Sequence, residues 1–209
     1  VLGRAEAREA DAAREAVAGA PAESQGGILT ADERAQWDQA VAAYAEGLSR
    51  KDTVFDEELP VLVAALAAAG DASSLDGAGI DPATAAVLMR AAPIYRKAWW
   101  PAHRAANEAW AASMQPLLDA HGRRVLAYIT RAYGLPWPTD GYPVHVAAYT
   151  NWAGAYSTTG DLLMIASRSP NNTGLYGLEI LFHEAMHQWD TPIWEALLTH
   201  ARAQKIPIS

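Results

Sequence analysis

His183-Glu184-Ala185-Met186-His187 is the run whose residue types and spacing can do metal chemistry. On an α-helix, positions i and i+4 share a face, so His183 and His187 can offer two imidazoles to one cation. Glu184 lies about 100° round the helix from His183. From there its carboxylate can take a proton from a water at the ion without being a ligand itself. A Lewis acid beside a base is what a zinc hydrolase needs. The expectation is one Zn²⁺ held by His183 and His187, with Glu184 as the catalytic base. The chain has no cysteine, which excludes disulfides and thiolate ligands, so every donor must be His, Asp or Glu.

These side chains converge only if the run is helical and anchored. Leu178, Leu181, Phe182, Ala185 and Trp189 fall roughly opposite the histidines. A helix over Leu175–Trp189 can therefore pack one face into a core and turn the other to a cleft. Asn171-Asn172-Thr173 and Gly174 read as the loop that opens it, and Thr191-Pro192 as its break. The glycosylation sequon in that loop carries little weight without a secretory signal. Upstream, Val144–Thr150 and Leu162–Ala166 have strand propensity. Ala153–Thr158 can form a further strand, turning at Thr159-Gly160, so a small meander precedes the motif helix. The plainer alternative is a helix that carries two unrelated histidines.

The motif and this order of elements resemble the zincin metallopeptidases, which are named for an H-E-x-x-H helix. The resemblance covers residues 175–190, extends upstream to about residue 143, and does not reach the first 140 residues. It implies a small sheet ahead of the active-site helix and zinc-dependent hydrolysis of peptide bonds. It also implies a strand, here within Ala153–Ser167, that lies along the cleft and pairs with an extended peptide or protein substrate.

A catalytic zinc usually has three protein ligands, and the third is where this chain departs from the family patterns. Ile193 stands where a metzincin-like extension has His or Asp. In gluzincins the third ligand is a glutamate on a later helix. The candidates are Glu195, in the first turn of a helix expected over Pro192–Ala203, His200, or a residue beyond Ser209. Asp190 shares the face of His183 and His187 but lies about 10 Å along the axis from His183. It is read instead as a cap for the next helix or a hydrogen-bond partner of a ligand imidazole. His145 is an oxyanion donor or simply a half-buried strand histidine, and alternation alone explains the latter. Tyr149, Tyr156 and Asn151 are possible cleft groups, and Glu179 lies one turn before His183.

The first 134 residues are alanine-rich and helical in pattern. Ala5–Val17 has little apolar face, and Ala20–Gly27 reads as a linker. Thr30-Ala31-Asp32-Glu33 matches a capping box, opening a helix with Trp37, Val41, Tyr44 and Leu48 at core-like spacing. Further helices are expected over about Thr53–Ala69, from Asp81-Pro82 to Arg90, and over Ile94–Tyr133 with interruptions near Pro101 and Pro116. Trp99, Trp100 and Trp110 sit at helical spacing and are read as core rather than as a carbohydrate platform. The expected fold is α+β and mostly helical. A helical region fills 1–134, and a small sheet plus the zincin-like active-site helix fills 135–209. The chain ends read as those of a fragment, cut at the C-terminus.

The net charge of −8 argues against a nucleic-acid-binding surface. No run of 18 or more apolar residues is present, so no membrane span is expected. No signal peptide is visible, although an extracytoplasmic or secreted setting is expected. The functional expectation is a zinc-dependent peptidase. The rival readings are a zinc-binding module without catalysis and a metal-free helical interaction protein.

Overall fold

A computed structural model describes residues 29–51, 58–70, 72–139, 141–150, 153–158 and 162–206. The expected helix at 5–17, the linker at 20–27, Asn151, the turn at Thr159-Gly160 and residues 207–209 lie outside these. The chain is α+β and mostly helical, with one small mixed sheet among the described residues. No described helix is long and apolar enough to cross a membrane. The described residues divide into two compact units, the first up to Asn107 together with Ala153, the second from Glu108 to Thr150 and from Gly154 onward.

In the first unit, α1 (Ala31–Glu46) opens with the expected capping box. Thr30 Oγ1 accepts from the Glu33 N–H, and Glu33 Oε2 accepts from the Thr30 N–H. Lys97 also donates to both Glu33 carboxylate oxygens at 2.8 Å. The Lys97 ammonium first, and the Thr30 N–H second, hold that carboxyl below its ordinary range. Helix α2 is Glu58–Ala69 and α3 is Pro82–Ala98. Asp81 caps α3 by accepting from the Thr84 N–H.

The expected end of α3 at Arg90 is incorrect, since the helix runs through Pro93 to Ala98. A mid-helix proline costs a hydrogen bond. Here Ile94 and Ala98 are buried with Trp99 against Leu29, Trp37 and Tyr95, and that burial outweighs the local cost. Trp37 stacks on Trp99 with centroids 4.2 Å apart. Val41, Tyr44 and Leu48 do not form a core stripe, because no residue of α1 is fully buried.

Helix α4 (Trp100–Leu117) carries Pro101 in its first turn, where a missing N–H is harmless. Pro116 has no N–H to give Ala112, and a π turn over Leu118–Gly122 follows directly. Helix α5 is Arg123–Tyr133, closed by Gly134 in the left-handed region at φ 67°. Trp99 and Trp110 are buried, as read, whereas Trp100 is exposed.

The second unit contains β1 (Val144–Ala147), β2 (Ala155–Thr158) and β3 (Leu162–Ala166) in the order β1-β3-β2. β1 runs parallel to β3, and β2 runs antiparallel to it. The expected meander is therefore incorrect. Leu162, Leu163, Ile165 and Ala166 are all buried, and a strand apolar on both faces belongs at the centre of a sheet. Register places Val146, Ile165, Ala155, Leu163 and Ser157 on one face, and His145, Met164 and Tyr156 on the other. On the first face Ala155, Leu163 and Ile165 pack with Trp110 and Met114 of α4 and with Leu181 and Ala185.

Those last two residues belong to α6 (Gly174–Met186). The chain then tightens into a 3₁₀ turn, His187–Trp189, and continues as α7 (Asp190–Ala203). The break expected at Thr191-Pro192 comes earlier, because Pro192 sits in the first turn of α7, where its missing N–H is no loss. The loop before α6 is more than a connector. Asn172 is wholly buried, and its Nδ2 donates to the carbonyls of Gly154 and Ala166, each at 2.8 Å. Its own carbonyl accepts from Trp110 Nε1 at 2.6 Å.

Gly177 lies so close under this loop that an added Cβ would stand 2.5 Å from the Asn172 carbonyl carbon. Gly177→Ala should therefore destabilise the chain by about 1–3 kcal/mol or more, as overpacking against backbone does. Urea unfolding of the variant beside the wild type measures this.

Candidate metal centre

Helix α6 is held by one face. Leu178, Leu181, Phe182, Ala185 and, just beyond its end, Trp189 are all buried, as their spacing predicts. Each of the Leu and Phe side chains contributes about 1.5–3 kcal/mol of burial. Trp137 packs edge-on against Trp189 at 5.7 Å and against Phe182 at 6.3 Å, which fixes the C-terminal end. The opposite face carries His183, which is exposed, and leads to His187, which is half-buried.

His183, Glu184 and His187 each offer a ligand atom, and these atoms all lie within 4.8 Å of one another. The two imidazole centroids are 5.3 Å apart, with the rings nearly perpendicular at 83°. A tetrahedral ion with bonds of about 2.0–2.1 Å holds two nitrogens about 3.4 Å apart. Ligand atoms within 4.8 Å of one another lie near that spacing. The Glu184 side chain is buried, and no described side chain bonds its carboxylate, which leaves that group open to a water or a cation. The residues present fit a single divalent ion.

The backbone supports the same sign of charge. His183 lies in the last turn of α6, and His187 is its C-terminal cap. The partial negative charge at a helix C-terminus favours a cation. The carbonyls of that turn are held by side chains. Ser157 Oγ, from β2, donates to the Glu184 carbonyl at 2.8 Å. Gln188 Nε2 donates to the Ala185 carbonyl at 2.9 Å.

Of the other residues singled out from sequence, Asp190 comes to the centre. Its Oδ2 lies 2.7 Å from His187 Nδ1. This is the hydrogen-bonding alternative of the two expected, and α7 has no side-chain cap. Glu179, Glu195 and His200 are exposed and do not join the cluster among the described residues. His145 is half-buried on the sheet face turned away from α6, as the plainer reading of it had it. Tyr149 is exposed and accepts from Arg168 Nη1 at 3.1 Å. Tyr156 is buried on the same sheet face as His145, not in a cleft.

Sequence reasoning missed Ser157, Gln188, Asn172 and Gly177. Only Gly177 had a signal, because a glycine inside a helical pattern marks a close approach. Comparison with protein-family models, with curated proteins and with solved structures returned no match.

Burial pushes the Tyr156 phenol up from 10.0 to about 12. The unfolded chain therefore ionises first, so this residue's contribution to stability is complete below pH 10.0 and falls as pH rises towards about 12. Ultraviolet titration of the wild type against Tyr156→Phe should show one late-ionising phenol missing from the variant.

Proposed function

We propose that this chain is a zinc-dependent peptidase of the zincin kind, acting on peptide or protein substrates. The observation that carries this reading is the convergence of His183, Glu184 and His187, with ligand atoms within 4.8 Å of one another, at the end of a helix anchored by its buried face. When bound, Zn²⁺ would lower the pKa of water and polarise the substrate carbonyl. His183 and His187 would hold the ion through neutral imidazole nitrogens. Glu184 accepts a proton as water adds to the amide carbon, and passes it to the departing amine as the C–N bond breaks. Its neighbours in the core restrict the directions from which bulk water reaches it.

β2 supplies the surface for substrate. It pairs with β3 on one side, and among the described residues no strand pairs its other side. An extended peptide can add there through backbone hydrogen bonds. Ser157 ties this strand to the Glu184 carbonyl, so a peptide on β2 would be in register with the base.

A second reading is favoured by the ligand count. Among the described residues the cluster holds two histidines and Glu184, with no further donor. In a zinc-binding module without catalysis, Glu184 itself would be the third ligand.

One pair of variants separates the two. As a base, Glu184→Gln should keep zinc and lose about 10²–10⁴-fold in turnover of a fluorogenic peptide library, whereas His183→Ala should lose both zinc and turnover. Loss of zinc in Glu184→Gln selects the non-catalytic reading. Undiminished turnover in the purified variant contradicts the peptidase mechanism.

A further inference from the structure

We infer that Asp190 is the positioning residue of this centre: it holds the His187 ring as the Nδ1–H tautomer and so turns Nε2 to the ion. This rests on the reading of His183 and His187 as the zinc site. An ionised carboxylate only accepts hydrogen bonds, so at 2.7 Å the His187 Nδ1 must carry the proton. A neutral imidazole has one N–H, which leaves the lone pair on Nε2. Ring orientation and tautomer are then set before any ion arrives.

The backbone explains why Asp190 can do this. In an α-helix, residues i and i+3 are offset by about 60° around the axis. In a 3₁₀ turn they eclipse. The tightening at His187–Trp189 therefore places Asp190 directly over His187, and α7 starts at that same residue. Trp189, buried between Tyr133 and Trp137, fixes the turn from the core side. The two histidines are thereby unequal. Among the described residues His187 has a ring hydrogen bond and His183 has none.

A purely structural role would look different. Asp190 lies in the first turn of α7, where a carboxylate favours the positive end of the helix. Both partners are about half exposed, at 40% for His187 and 58% for Asp190, so the pair adds little to folding as a salt bridge. The positioning role predicts a directional effect on the ring.

Two measurements on the whole chain test this. Long-range ¹H–¹⁵N NMR of the zinc-free protein, above the titration range of imidazole, reports the tautomer. The wild type should show Nδ1–H at His187, and Asp190→Ala should revert to the common Nε2–H form. Competition with a chromophoric chelator should show zinc held about 10–100-fold more weakly by Asp190→Ala. Asp190→Asn, whose amide oxygen still accepts from Nδ1, should keep the tautomer and recover part of the affinity. An Nε2–H ring in the wild type overturns the role. So does wild-type zinc affinity in Asp190→Ala alongside a lowered thermal midpoint of the zinc-free form, which is the helix-end effect alone. If His183→Ala still loses zinc in that case, the zinc site stands without Asp190. A wild type that binds no zinc overturns both readings.

Discussion

The burial of one face of α6 carries everything else in the second unit. Leu178, Leu181, Phe182, Ala185 and Trp189 together offer on the order of 10 kcal/mol of apolar burial, which sets the rotation of the helix about its axis. Once that rotation is set, the positions of His183 and Glu184 follow, because the 3.6-residue period allows no other outcome. The open face is a consequence of the closed one. Gly177 under the Asn172 loop and Trp189 against Trp137 add stops at either end, so the helix can neither slide nor turn.

The same anchoring accounts for the uneven surroundings of the three chemical groups. His183 is exposed, His187 is half-buried with its ring bonded to Asp190, and Glu184 is buried. The proposed role of base requires Glu184 to be fixed relative to its target, and its carbonyl is tied to β2 and its neighbour Ala185 lies in the core. The proposed ligands would need less restraint, since an ion would complete their geometry on binding. Hydrogen bonds to the carbonyls of Glu184 and Ala185 also keep the last turn from fraying, which isolated helix ends tend to do.

Much of this was legible in the sequence, and what was not has physical reasons. The amphipathic spacing of α6 predicted the burial of Leu178, Leu181, Phe182 and Ala185, because a 3.6-residue pattern reports directly on burial, but not that of Gly177 and Glu184. The capping signals at Thr30 and Asp81 were equally direct, being local chemistry. The sheet topology was not legible. Leu162–Ala166 reads as a strand, but only the placement of its neighbours shows that it is central and that β1 runs parallel to it. The continuation of α3 past Arg90 was not legible either, since the burial of Ile94 and Ala98 that offsets the cost of Pro93 is tertiary. At the site, the H-E-x-x-H run was plain. Ser157 and Asn172, which join segments distant in the chain, leave no local pattern.

The proposed site requires that His183 and His187 hold one zinc ion. X-ray absorption spectroscopy of protein purified without a histidine tag and supplied with one equivalent of zinc tests it most directly. The expected result is one tightly held ion per chain, with a nitrogen and oxygen shell at about 2.0–2.1 Å that includes two imidazoles in the wild type and at most one in His187→Ala. Zinc that washes away, or a shell without imidazole scattering that the substitution leaves unchanged, would contradict it.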